Sequence, residues 1–237
     1  ARDVPVRLGV QVASMQRTGS AWTITDRDGA VYASDMVLLA TPAPQATALL
    51  GTTNSPVAFA TALAGVTMLP CWSSMVVFAG PPPRPEDDSL AEEALTLGAP
   101  SANDPLVYRA WRQREHPGPC DDQAWVVHSE ATWSATHLAE PPTTVAALVA
   151  EALRERLQTE APLLHAVAHR WRYARVEHGL HDPCLFDDTQ GIGACGDWGN
   201  AGAPQRSHQS VERAWLSGIA LAGRVLARIT SQSHPAL

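Results

Sequence analysis

The alternation of apolar and polar positions at the start of the chain predicts a small antiparallel meander. Arg7 to Met15 alternates around Leu8, Val10 and Val12, Thr18-Gly19-Ser20 makes a turn, and Ala21 to Asp26 alternates again through Trp22 and Ile24. Asp28-Gly29 is a hairpin signal, with Val31-Tyr32 beginning the return strand. Asp35 to Ala40 (DMVLLA) is a continuous apolar run of the kind that forms a fully buried strand. Thr41-Pro42 ends it, and Ala43 to Leu50 continues as a short helix.

From Pro56 the pattern changes. Pro56 to Ala64 predicts a helix and MLPCWSSMVVFAG a strand centred on Met75 to Phe78, whereas PPPRPEDDS is a solvated loop or lid, because consecutive prolines cannot donate to a ladder. Leu106 to Trp111 and Ala124 to Ser129 predict two strands joined through a turn at Pro117-Gly118. After ATWSATHL, an amphipathic helix begins near Thr143 or Thr144, with apolar positions Val145, Leu148, Val149, Ala152, Leu153 and Leu157. Leu163 to Ala174 predicts a strand leading back to the Gly191 region.

The last stretch, GIGACGDWGNAGAPQRSHQSVERAWLSGIALAGRVL, organises the rest. Ile192 and Ala194 fit a short buried strand that breaks at Gly196-Asp197, and a polar loop follows. Ser210 is then a candidate N-cap for a long helix with Val211, Ala214, Trp215, Ile219, Leu221, Ala222, Val225 and Leu226 at helical spacing. A strand, a Gly-Asp turn and a returning helix suit an extended cofactor. Backbone N–H groups at the helix start favour an electron-rich group, and the Asp197 carboxylate can accept hydrogen bonds from sugar-like hydroxyls.

Composition narrows the classes of function. The 237 residues suffice for one large domain or two small ones. All basic side chains are Arg and none is Lys, a bias of the kind GC-rich bacterial genomes produce. The net charge of −7 argues against nucleic acid or an anionic membrane as the main partner. No apolar run reaches membrane-spanning length and no leader pattern opens the chain, so a cytoplasmic location is expected. Cys71, Cys120, Cys184 and Cys195 lie far apart with no CxxC, and free thiols are expected. The segment from His178 through His181 to Cys184, with Cys195 downstream, has zinc-type ligands but no common zinc spacing, so no metal is expected.

Several motifs together, DMVLLATPAPQA, EATWSATHL, HRWRYAR and CGDW followed by VERAWLSGIALAGRVL, resemble the renalase-like branch of FAD-dependent amine oxidases. The resemblance implies a mixed α+β and α/β fold. Residues 1–55 and 185–237 would form a partial Rossmann-type FAD-binding domain lacking its N-terminal βαβ, and residues 56–184 an inserted antiparallel-sheet substrate domain. It also implies FAD as cofactor: Val12 near the adenine, Ala40, Thr41 and Pro42 on the pyrophosphate side, Gly196 and Asp197 at the ribityl-pyrophosphate, and the helix start at Val211, Glu212 and Arg213 aimed at the flavin pyrimidine ring. The family fingerprint GxGxxG that holds the pyrophosphate is missing. Gly191 to Gly196 spells it, but a polar loop follows where a helix should begin at once. The family also has a shorter connection after GDW, with Gly near the position of Arg213.

The activity so implied is hydride transfer from a reduced small substrate, an isomeric dihydronicotinamide or an amine, to flavin and then to dioxygen. Arg109, Trp111, His128 and Trp133, on or beside the predicted substrate-domain strands, are the candidate substrate residues, set against a plain packing role. No catalytic side chain is singled out. The alternative is a cofactor-free remnant or fragment, inactive by itself and acting as a binding module. Its expected partners are a small-molecule substrate and either an N-terminal Rossmann segment or a second copy in a homodimer.

Overall fold

The computed structural model describes residues 4–80, 109–113, 122–200 and 209–233. The elements form a mixed α/β chain: β1 (Val12–Thr18), β2 (Ala21–Asp26), β3 (Val31–Ser34), β4 (Val37–Leu39), α1 (Ala43–Leu50), α2 (Ala60–Ala64) and β5 (Thr67–Phe78). Then come β6 (Arg109–Gln113), β7 (Gln123–His128), α3 (Ala131–Thr136), α4 (Pro142–Leu157), β8 (Leu163–His178), β9 (Leu185–Asp187), β10 (Ile192–Ala194) and α5 (Gln209–Ser233). The chain divides into two compact units, one of residues 1–68 with 176–237, the other of residues 69–175. Sequence reasoning had put the changes after residues 55 and 184.

In the first unit, β1, β2 and β3 form an antiparallel meander. Gly19 and Gly29 take positive φ at its two turns, which is why small flexible residues stand there. Asp26 closes the second turn: its carboxylate accepts from the N–H of Asp28 at 3.0 Å and Ala30 at 2.8 Å, and from the Tyr32 hydroxyl at 2.9 Å. The strand expected from Arg7 begins only at Val12. Positive φ at Gly9 breaks the extended run, and Leu8 stays exposed instead of alternating inward.

The second sheet of this unit has the order β4-β10-β9. β10 pairs with β4 in parallel, Ile192 to Val37 and Ala194 to Leu39, and with β9 antiparallel. Around this sheet Met15, Trp22, Leu63, Ile192 and Trp198 are fully buried in one core. The Trp22 indole N–H donates to the Gln190 carbonyl at 2.8 Å, fixing the meander to the turn before β10. Asp187, at the end of β9, is buried and accepts from the Ala58 N–H at 2.9 Å, the Thr189 hydroxyl at 2.6 Å and the Gln190 N–H at 3.1 Å. Burial works to raise this carboxyl, but the donated hydrogen bonds outweigh it and hold it below its ordinary value.

The other unit is a sheet of order β6-β7-β5-β8, with β7 antiparallel to both neighbours. Alternation along β7 buries Gln123, Trp125 and Val127 on one face. Helix α4 belongs to the same core through Val145, Ala146, Val149, Ala150 and Leu153, a stripe at helical spacing. Leu148, expected inside, is exposed, and the small Ala146 and Ala150 take the buried positions. Helix α3 is capped by Glu130, whose carboxylate accepts from the N–H groups of Thr132 at 2.6 Å and Trp133 at 3.0 Å. Helix α2 starts at Ala60, later than the expected Pro56, and α4 starts at Pro142 after Pro141, since proline is suited to a first helical turn. The PPPRPEDDS loop, the Pro117-Gly118 turn and Cys120 lie outside the described residues. Among the described residues, no helix is long and apolar enough to cross a membrane.

Two outcomes are expected. A carboxyl lowered in the folded state adds stability that is complete above its unfolded value, near 3.8, and is lost as pH falls through the lowered folded value. Asp187→Asn should therefore cost about 2 kcal/mol at neutral pH and less in acid, measured by urea denaturation across pH. Gly193→Ala should cost about 1–3 kcal/mol in the same assay, because a Cβ there would stand 2.5 Å from Leu221 Cδ1 and 3.1 Å from the Leu185 carbonyl.

Candidate functional site

Parallel pairing puts the carboxyl ends of β4 and β10 side by side, the position at which open α/β sheets bind ligands. The Cys195 N–H donates to the Leu39 carbonyl at 3.0 Å, extending the ladder by one residue. Ala40, Thr41 and Pro42 therefore leave the sheet beside Cys195, Gly196 and Asp197. Ala40 and Thr41 are exposed, and Pro42 opens α1 with no side chain capping its first turn. Val12 is half-buried at the start of β1, paired with Asp26 beside an irregularity in the ladder.

The Gly196-Asp197 turn is held from three directions. The Gly196 N–H donates to the Ser217 hydroxyl at 3.1 Å, and Ser217 is fully buried on α5. The Trp198 indole folds back over Gly196, where any Cβ would lie 2.3 Å from Nε1, so no other residue fits this geometry. Gly199 approaches the Pro183 carbonyl just as closely, its Cβ position lying 2.5 Å from the oxygen. Burial pushes the Asp197 carboxyl above its ordinary value, while the Arg213 guanidinium and its own backbone N–H work in the opposite direction. The first turns of α5 thus bring Arg213 to the Gly-Asp turn. Val211 and Glu212, beside it, are exposed.

Helix α5 already includes Ser210, the expected N-cap, because the helix begins by Gln209. Residues 201–208 lie outside the described residues. Sequence reasoning gave no role to Ser217 or Trp198. The available signal for Ser217 was a small polar residue on the inward stripe of an amphipathic helix, one turn before Leu221. For Trp198 there was none beyond its place in GDW, since only the folded chain shows the indole lying over Gly196.

In the other unit, register pairs Arg109 with His128 and Trp111 with Val126. His128 also pairs with Ser73 of β5 and is half-buried. Nothing further of the 109 and 111 side chains falls within the described residues. Trp133 is a core residue, stacked on His137 with ring centroids 4.0 Å apart. Among the described residues no group of three or more His, Cys, Asp or Glu side chains converges as metal ligands.

The polar groups at the first unit's turn suit a flavin nucleotide. Trp198 Nε1 and Arg213 Nε, near this turn, are among the buried donors without a hydrogen-bond partner within the described residues, and Asp197 offers an acceptor between backbone segments that leave a parallel sheet. Donors and an acceptor at strand carboxyl ends are what a cofactor with hydroxyl, phosphate and carbonyl groups requires.

Comparison with known proteins gives the fold and the family. The chain has the fold of a protein from an Exiguobacterium species named as a protoporphyrinogen oxidase, with a TM-score of 0.57 and 13% identity over 93% of this chain and 47% of that one. It is also similar to a putrescine oxidase double mutant redesigned for cofactor binding, with a TM-score of 0.60 and 12% identity over 92% of this chain and 48% of that one. The chain therefore spans about half the length of these solved structures. The model of the flavin containing amine oxidoreductase family matches residues 1–226, and the chain belongs to that family.

Proposed function

We propose that the chain is part of an FAD-dependent oxidoreductase of the renalase-like kind, acting on an isomeric dihydronicotinamide or an amine. The observation that carries the reading is the β4–β10 parallel pair, whose carboxyl ends align Ala40–Pro42 with Gly196–Asp197 next to Arg213. Bound FAD supplies the two-electron chemistry, with dioxygen as final acceptor. The protein's own part is to bind and orient. Asp197 accepts from cofactor hydroxyls, the α1 start and Ala40–Pro42 face the pyrophosphate side, and the α5 start with Val211, Glu212 and Arg213 faces the pyrimidine ring. Val12 stands on the adenine side. Arg109 and Trp111 on β6, His128 on β7 and Trp133 on α3 are the substrate residues of this reading.

A second reading, a chain that acts only after docking onto a partner, is favoured by the outward stripe of α5. Val211, Trp215, Ile219, Leu226 and Ile229 recur at helical spacing on it and are all exposed. Among the described residues β4 is also an edge strand, with Leu38 half exposed, although parallel strands are ordinarily covered on both sides. The occupant we propose is a nucleotide-binding βαβ segment, in keeping with a chain about half the length of its structural neighbours. A homodimer is the alternative that the experiment separates.

Native mass spectrometry of the purified chain, alone and mixed with a nucleotide-binding segment and FAD, tests both points. A complex carrying the mass of FAD is expected only with the segment present. A flavin-free complex would overturn the flavin reading, and a dimer indifferent to the segment would overturn the proposed partner. Asp197→Asn should weaken FAD retention by about tenfold or more, the loss of one charge-assisted hydrogen bond. It should leave the fold stable, because a carboxyl whose value is raised on folding costs stability as pH rises through that value, and the amide removes this cost.

A further inference from the structure

The antiparallel register of β9 and β10 runs Asp187 to Ile192, Phe186 to Gly193 and Leu185 to Ala194. One step further along the same register stands Cys184 opposite Cys195. The two chains stay together past this point, since the Leu180 N–H donates to the Trp198 carbonyl at 2.8 Å and the Asn200 N–H to the Asp182 carbonyl at 3.2 Å. The Cys195 N–H points the other way, to Leu39 of β4. A strand residue directs its N–H and C=O to the same side, so the Cys184–Cys195 pair is of the non-hydrogen-bonded type.

That type has a chemical consequence. Opposed residues in it have Cα atoms about 4.5 Å apart with both side chains on one face, inside the range of about 4.4–6.8 Å that a disulfide spans. Both residues are half-buried free thiols, and each lies within the other's electrostatic reach. We propose that Cys184 and Cys195 form a cross-strand dithiol site that hydrogen peroxide or an organic hydroperoxide closes to a disulfide.

The steps balance for hydrogen peroxide as follows. Either thiolate can act first; with Cys184 first, its sulfur attacks one peroxide oxygen, the O–O bond breaks, and the departing hydroxide takes up a proton as water. The Cys195 thiolate then attacks the Cys184 sulfur and displaces its hydroxyl, which leaves as a second water as the S–S bond forms. Two thiols lose two electrons and two protons, and one peroxide becomes two waters. Burial raises both thiols; at Cys184 the Arg224 guanidinium works against that rise while Cys195 and Asp182 add to it, so the two sulfurs can exchange roles in these steps. The inference stands apart from the flavin reading, because the oxidant can come from any source. Closure would tie the entry of β9 to the residue before Gly196-Asp197 and so restrain that turn.

The test is non-reducing peptide mapping of the full chain after titration with hydrogen peroxide, with iodoacetamide blocking the remaining thiols. The expected result is an intramolecular Cys184–Cys195 linked peptide that dithiothreitol removes and that persists in a Cys71→Ser/Cys120→Ser background. Cys184→Ser and Cys195→Ser should each abolish it, leaving a dimedone-reactive sulfenic acid on the remaining partner. Mapping of the unsubstituted chain needs no variant to fold. Sulfenic or sulfinic acid at these cysteines without the link, or only intermolecular disulfides, would overturn the proposal.

Discussion

The parallel contact between β4 and β10 is the constraint on which the first unit rests. Residues 37–39 and 192–194 lie far apart in the chain, and their pairing holds the two stretches of the first unit together. Bringing distant segments together has a loop-closure cost that local propensity cannot offset, so the contact must be stabilised by burial. Ile192 and Ala194 are wholly buried, Trp22 hydrogen-bonds the turn before them, and Gly193 leaves room for Leu221 of α5. The absence of a side chain at Gly193 is what lets the helix approach the sheet.

Three buried or half-buried carboxyls illustrate how the same group is put to different uses. Asp26 and Asp187 are surrounded by donors from their own turns and neighbouring segments, and their hydrogen bonds hold the anion in place. Both act as local replacements for regular backbone pairing. Asp197 is placed differently: its turn is fixed through Gly196, Ser217 and Trp198, and burial raises its carboxyl while the Arg213 guanidinium and a backbone N–H work against that rise.

Much of the local structure was legible. The Asp28-Gly29 hairpin, the Ala43–Leu50 helix, the short strand at Ile192–Ala194 and the long C-terminal helix all followed from turn chemistry and periodicity. The misses have local causes. Alternation through Leu8 and Val10 promised a strand, but alternation only records a face, and positive φ at Gly9 interrupts the run. Ser210 looked like a cap because polar residues precede an apolar run, yet the helix extends beyond the apolar stripe. In α4 the helical phase that buries Val145, Ala146, Val149, Ala150 and Leu153 leaves Leu148 off the core-facing side.

By itself the sequence determined the elements, their order, and the Gly-Asp turn between a strand and a helix, because these depend on spacings of a few residues. Through its motifs it also carried a resemblance to flavin amine oxidases, and the match over residues 1–226 established the flavin containing amine oxidoreductase family. Only the tertiary structure decided that β4 and β10 pair in parallel, that Trp198 lies over Gly196, that Ser217 holds the turn, and that Cys184 stands across from Cys195. The Trp198 contact is local but depends on how the indole packs in the core, and the others join residues that are distant in the chain or set by a register, which a one-residue shift would change.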